Sequence, residues 1–159
     1  MRKVLTIVLI VLSVFLLFGC GGKPKAEKIC KVAGLGDTLE TWVQDHGKPT
    51  KDEGMYKTFK PDFDFFVTFE NNRASNILFQ DTTKGKAPED VKLMIPEDAQ
   101  FTSTKETPDK NTNGMIKLII KNGHSEKLKK TLPKTNGDFT LTTQIDAQTS
   151  KYIGTILKF

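Results

Sequence analysis

Two neighbouring segments with alternating apolar and polar side chains determine the fold class of this chain. The segments are residues 64–70 and 73–80, and their shared-face apolar positions are Phe65, Val67 and Phe69 in the first and Ile77 and Phe79 in the second. Successive side chains of a strand point to opposite faces, so each segment is predicted to be a half-buried β-strand. Asn71 and Asn72 separate them, and asparagine tolerates the positive φ of a two-residue hairpin turn. With a further strand over residues 55–60, the sequence predicts a three-stranded meander.

An amphipathic helix is predicted immediately before this meander. Four residues follow the spacing i, i+3, i+4 and i+7, which places them on one helical face: Leu39, Trp42, Val43 and His46. Asp37 with Glu40 three residues later matches a capping box and is expected to begin the helix. Gly47 is expected to end it, and Pro49 prevents its continuation.

The second half of the chain is also predicted to contain alternating-pattern strands and short helices. Strands are predicted at residues 101–105, 115–121, 139–145 and 153–159, and short helices at residues 88–95 and 125–132. The sequence therefore predicts an α+β fold, an antiparallel β-sheet packed on one face by two or three short helices. We expect a single domain over residues 35–159, with sub-halves at about 35–80 and 87–159.

The N-terminus has the features of an export signal. Arg2 and Lys3 precede an apolar run over residues 4–18, and the run ends in Leu17-Phe18-Gly19-Cys20. This ending resembles the lipobox of bacterial lipoproteins. The resemblance implies cleavage after residue 19, a diacylglyceryl thioether on Cys20 and attachment to the lipid bilayer. An uncleaved membrane helix is the alternative, because the charge-free stretch over residues 4–22 nearly reaches the length that spans a bilayer.

Residues 20–34 are predicted to be a lysine-rich flexible tether between the anchor and the domain. Glycine and proline follow Cys20 directly, and four lysines lie in this stretch. Cys30 is the only thiol that remains once Cys20 is alkylated, and it is expected to be a half-buried inert side chain or a link between two copies.

The charge of the chain argues against a nucleic-acid partner. The formal net charge is +5, from 24 basic and 19 acidic residues, but only Arg2 and Arg73 are arginines. Proteins that bind nucleic acids use arginine for bidentate contacts to phosphates and guanine. Cleavage of the signal would also remove Arg2 and Lys3, and the lysines of the tether would lie at the membrane.

A second resemblance covers residues 36–80. Gly36-Asp37, Trp42 and His46-Gly47-Lys48-Pro49, followed by the meander, resemble a pattern of small envelope lipoproteins. The SmpA/OmlA outer-membrane assembly family has a version of it, as do uncharacterised lipoproteins of Gram-positive bacteria. The resemblance implies helices packed on an antiparallel sheet, in agreement with the prediction above. It supplies no binding residue for this chain, and the assembly role of the family is not carried over.

Motifs for chemistry are few. Residues 109–114 match the first half of a calcium loop, with oxygen-bearing side chains at alternate positions and Gly114 sixth, but Ile120 occupies the place of the bidentate glutamate. A polar hairpin loop is therefore the preferred interpretation.

Asp62 and Asp64 fit a solvated turn better than an acid–base pair. His46 and His124 have no partner at a metal-binding spacing. The sequence predicts no enzyme, no cofactor and no metal.

The sequence favours a membrane-anchored extracytoplasmic lipoprotein that acts as a non-catalytic binding module in the cell envelope. Its expected partner is another envelope protein. Phe59, Phe63 and Phe66 lie outside the predicted core pattern and form the candidate interaction surface. The alternative is a small-ligand-binding protein or an enzyme whose site is not visible as a motif.

Overall fold

The computed structural model describes residues 27–59, 64–80 and 89–159. They form one eight-stranded antiparallel sheet with short helices, which confirms the predicted α+β class. The strands are β1 (Lys51–Glu53), β2 (Tyr56–Phe59), β3 (Asp64–Glu70), β4 (Arg73–Gln80), β5 (Gln100–Pro108), β6 (Ile116–His124), β7 (Asp138–Asp146) and β8 (Tyr152–Lys158). The helices are α1 (Leu39–His46), α2 (Glu126–Thr131) and three 3₁₀ segments at Glu89–Met94, Lys110–Thr112 and Pro133–Thr135.

The C-terminal strand joins the two halves of the chain. The strand order is β1-β2-β3-β4-β8-β7-β6-β5, so β8 lies between the N-terminal meander and the C-terminal strands. Residues 76–80 of β4 pair with residues 154–158 of β8. The two predicted sub-halves therefore share one continuous sheet, and the strands at its two free edges are β1 and β5.

The β3–β4 hairpin has the predicted turn. Asn71 and Asn72 adopt φ angles of 50° and 63°, the left-handed values that a two-residue hairpin turn requires. Gly47, with φ of 79°, ends α1 as predicted. Strand β1 was not predicted, because its three residues are all charged and exposed and give no apolar alternation.

The core lies on one face of the sheet, which we call the covered face. Trp42 of α1 is fully buried, and its ring centroid lies 5.2 Å from that of Phe59 and 6.4 Å from that of Phe65. Leu128 of α2 and Leu157 of β8 belong to the same hydrophobic cluster. Full burial of each large apolar side chain contributes about 1.5–3 kcal/mol, so this cluster is the main stabilising feature of the fold.

The segment before α1 belongs to the folded domain, which corrects the predicted tether. The tether was expected to reach residue 34, but Ile29, Cys30 and Ala33 are at most 4% exposed and lie in the core cluster. Cys30 also forms an isolated β-bridge with Pro96. The prediction was based on composition, and the lysines on either side of Ile29 and Cys30 made this stretch resemble a polar linker.

Asp37 holds this segment in place and does not cap α1 as predicted. The cap is Thr38, whose hydroxyl accepts a hydrogen bond from the Thr41 amide at 3.3 Å. The buried carboxylate of Asp37 instead accepts hydrogen bonds from the amides of Ile29 at 2.8 Å and Gly34 at 3.0 Å. Burial raises the pKa of Asp37, while these two hydrogen bonds act in the opposite direction.

The predicted N-terminal signal and Cys20 lie outside the described residues. Among the helices in residues 27–59, 64–80 and 89–159, none has the length and apolar character needed to cross a membrane.

Candidate interaction face

The second face of the sheet, which we call the open face, has a row of paired residues across five strands, and four of the five residues are apolar. Strand register places directly opposite residues on the same face. Phe66 of β3 pairs with Leu78 of β4, Leu78 with Ile156 of β8, and Thr142 of β7 links Ile156 to Ile120 of β6. We call Phe66, Leu78, Ile156 and Ile120 the apolar stripe.

Exposure distinguishes the two faces. Phe65 is 1% exposed on the covered face, whereas its neighbour Phe66 is 40% exposed on the open face. Leu78 and Ile156 are also partly exposed, although Ile77, Phe79 and Leu157 beside them are buried. Tyr56, which is 58% exposed, lies on the same face as Phe66 one row away. Within the described ranges, no helix packs over the stripe as α1 packs over Phe65.

A polar row runs parallel to the stripe. Its members, linked by strand pairing, are Tyr56, Thr68, Asn76, Lys158, Thr140 and Asn122. Asn122 donates to the Ser103 hydroxyl at 2.9 Å and accepts from the Thr140 hydroxyl at 3.3 Å. The Oδ1 atom of Asn76 is buried and has no hydrogen-bond partner. The open face therefore combines an apolar centre with a hydroxyl and amide border, as protein interfaces do.

Two concavities are lined partly by residues of this face. One of about 270 Å³ is lined by residues that include Tyr56, Phe66 and Asn76. The other, of about 540 Å³, lies at the far end of the polar row beside Asn122 and Lys158. Both are open to solvent, and Asn122 in the larger one already hydrogen-bonds within the sheet.

The predicted interaction residues have different positions. Phe59 is wrong as a surface residue: it is fully buried against Trp42, because β2 pairs Phe59 with Phe65 and so directs both to the covered face. Phe66 is exposed at the end of the apolar stripe. Phe63 and Cys20 lie outside the described residues. The sequence interpretation missed Tyr56, whose side-chain direction depends on the same β2–β3 register.

Residues 109–114, predicted to be a polar hairpin loop in preference to a calcium loop, connect β5 and β6. Asp109 caps the 3₁₀ turn, and its side chain accepts a hydrogen bond from the Asn111 amide at 2.9 Å. Asn113 and Gly114 have φ angles of 50° and 79° and supply the turn geometry. The polar hairpin interpretation accounts for each of these residues.

The two histidines belong to separate structural clusters. His46 packs against Trp42 with tilted rings whose centroids are 4.6 Å apart, and its Nε2 donates to the Ala33 carbonyl at 2.9 Å. Burial lowers the pKa of His46. His124 lies between Glu126 and Asp138, each at 3.0 Å, and the hydrogen bonds to Glu126 and Asp138 raise the pKa of His124.

The thiol of Cys30 is almost fully buried. Its Sγ donates to the Met94 carbonyl at 3.2 Å, and burial together with the charge of Asp37 raises the pKa of Cys30. A buried thiol with a raised pKa is a poor nucleophile. In the part of the chain that the structure describes, no three or more His, Cys, Asp or Glu side chains are grouped to hold a metal ion.

Comparison with known proteins found no matching family model, no matching curated protein and no matching solved structure.

Proposed function

We propose that this chain is a membrane-anchored extracytoplasmic lipoprotein whose domain is a non-catalytic binding module of the cell envelope. The observation that carries the proposal is the open face, where the apolar stripe is partly exposed beside Tyr56. Contiguous exposed apolar surface with a polar border is characteristic of protein-binding sites. The partner that fits it is another envelope protein with a complementary apolar surface.

The lipobox supplies the anchor in this proposal. Ile29 is the first buried residue in the part of the chain that the structure describes, and eight residues separate it from Cys20. Eight residues span at most about 28 Å when fully extended. A diacylglyceryl group at Cys20 would therefore hold the domain close to the bilayer. Two acyl chains are sufficient for stable attachment, at about 0.8 kcal/mol for each buried methylene.

Replacement of Cys20 tests the anchor. Cys20→Ala should move the protein from the membrane fraction to the soluble fraction or leave an unprocessed precursor. Cys30→Ala is the matched control, because Cys30 is buried in the core and should leave fractionation unchanged. Membrane association of a processed Cys20→Ala protein would contradict the lipoprotein assignment.

Substitution of the apolar stripe tests the binding surface. Phe66→Ser removes the most exposed member of the stripe and should abolish recovery of an envelope partner after cross-linking in intact cells. Met115→Ser is the control, since Met115 is 64% exposed and lies outside the stripe. Equal recovery with both variants would exclude the open face as the docking surface.

A second candidate is a small-ligand-binding protein, which the depression of about 540 Å³ favours. The lining combines the polar side chains of Asn122, Asp138 and Lys158 with the rings of Phe139 and Phe159. Lys158 is its exposed cation. In this case Lys158→Ala, and not Phe66→Ser, should abolish function. The first proposal is preferred, because the Asn122 amide is already hydrogen-bonded within the domain.

A further inference from the structure

The two edges of the sheet differ in length and protection. Edge strand β1 has three residues, all charged, which is a common defence against pairing with another chain. Edge strand β5 has nine residues, and every one except Thr107 is exposed. It pairs on one side with β6, and in the described ranges no element pairs with its other side. β5 is therefore the edge at which another strand can be added.

One hydrogen bond shows which main-chain groups of β5 point away from β6. The Asp109 amide donates to the Ile116 carbonyl at 2.8 Å, in the same register that pairs Pro108 with Lys117. In an antiparallel pair, residues that exchange main-chain hydrogen bonds alternate with residues that do not. Ser103, Lys105 and Thr107 therefore direct their amides and carbonyls to β6. The corresponding groups of Thr104 and Glu106 point outward, while Pro108 has no amide to offer.

We propose that β5 pairs antiparallel with β5 of a second copy of this chain, about a two-fold axis perpendicular to the sheet and centred on Thr104. An exposed row of main-chain donors and acceptors is complementary to another β-strand. A two-fold pairing must place an outward residue opposite an outward residue. Three registers satisfy this condition, and they place Thr104 opposite Thr104, Thr104 opposite Glu106, or Glu106 opposite Glu106.

Charge selects among these registers. Pairing of Glu106 with Glu106 places like charges directly opposite each other, which destabilises a sheet. Pairing of Thr104 with Glu106 brings the two copies of Lys105 face to face in a close non-hydrogen-bonded pair. Pairing of Thr104 with Thr104 places Lys105 opposite Ser103, and threonine pairs across strands are favourable. The irregularity between Phe101 and Ser103 limits the regular part of this pairing to residues 103–105 of each copy.

The proposed pairing is compatible with attachment of both copies to one membrane. The axis perpendicular to the sheet keeps the covered faces of both copies on the same side, and the segment that begins at Ile29 packs on that face. The two open faces also become continuous on the other side. The inference does not depend on what the open face binds, because it concerns only the edge strand.

Paired cysteine variants test this register directly. Ser103 and Lys105 of opposite copies would form a non-hydrogen-bonded pair with Cα atoms about 4.5 Å apart, within the range for a disulfide. Full-length Ser103→Cys and Lys105→Cys chains with different tags should be co-expressed and oxidised in intact cells. The reference is the product from two differently tagged chains that both carry Ser103→Cys, or that both carry Lys105→Cys. We expect about tenfold more disulfide-linked product with both tags from the mixed pair, because only the mixed pair has disulfide geometry.

The opposite edge supplies the matched control. Co-expressed Lys51→Cys and Glu53→Cys chains have the same spacing on β1 and should give only background cross-linking. Cross-linking of the β5 pair at the level of this control overturns the proposal, and so does equal cross-linking by Ser103→Cys or Lys105→Cys alone.

A proline variant tests the role of the main chain. Thr104→Pro in the Ser103→Cys and Lys105→Cys chains removes an outward amide and leaves the hydrogen bonds to β6 in place. It should reduce the mixed product to background, and an undiminished product overturns the proposal. Recovery of the mixed product without this proline shows that the cysteine chains fold.

Discussion

Removal of the Asp37 carboxylate should release the segment that precedes α1 from the core. Asp37 is fully buried, and its two oxygens accept hydrogen bonds from the Ile29 and Gly34 amides at 2.8 and 3.0 Å. Asp37→Ala leaves both amides without their acceptor. These hydrogen bonds join residues eight and three positions away in sequence, so they fix the course of the whole segment over Cys30.

The expected loss follows from the cost of unsatisfied buried groups. Each buried donor left without a partner costs about 1–3 kcal/mol, so the two amides together correspond to about 2–6 kcal/mol. Asp37 is fully buried, so its charged carboxylate is held at a desolvation cost that alanine removes. We therefore expect the free energy of unfolding to fall by about 2–4 kcal/mol, which is the lower part of the range for two unsatisfied amides.

Urea unfolding measured by tryptophan fluorescence provides the assay, because Trp42 is the only tryptophan and is fully buried. Asp37→Asn is the graded control, since the amide retains one acceptor oxygen and should lose less stability than alanine. The expected order of stability is wild type, then Asp37→Asn, then Asp37→Ala. An Asp37→Ala protein within about 0.5 kcal/mol of wild type, the range of an ordinary surface substitution, would refute the assigned role.

Three further substitutions have definite expected outcomes. Gly34→Ala should destabilise the fold by about 2–3 kcal/mol in urea unfolding, because its Cβ would lie 2.1 Å from the Met94 carbonyl oxygen; unchanged stability would contradict this packing. Asn76→Val should raise stability by about 1 kcal/mol, because the buried Oδ1 has no partner, and a loss would show that this atom is satisfied. The hydrogen bonds to Glu126 and Asp138 raise the pKa of His124, so their contribution is complete below about pH 6.5 and is lost as pH rises through the folded-state pKa. His124→Gln should therefore flatten the fall in urea midpoint above that pH, and an unchanged profile would contradict the pairing.

Much of the sheet could be predicted because its strands have one buried face. Phe65, Val67 and Phe69 alternate with more exposed residues, and the alternation alone places them on one buried face. The turn at Asn71 is equally local, since its positive φ is a property of the residue type. Local patterns therefore sufficed wherever one strand or one turn contained the whole signal.

The interaction face could not be predicted in the same way, because it depends on register between strands. Phe59 and Tyr56 lie on the same short strand, and only the pairing of Phe59 with Phe65 shows which of them is buried. The apolar stripe also joins Phe66 to Ile120, which lie far apart in sequence and come together through β8. Burial of Ile29 was missed for a related reason, since its contacts are with distant parts of the chain.

A photo-reactive residue on the open face provides the most direct test of the proposed function. A benzophenone amino acid at position 66 of the full-length chain, irradiated in intact cells, should form a covalent adduct with another envelope protein. The same residue at position 148, in the exposed β7–β8 turn, should not form that adduct. An adduct pattern at position 66 that matches position 148 would contradict the account of Phe66 and the apolar stripe as a docking surface.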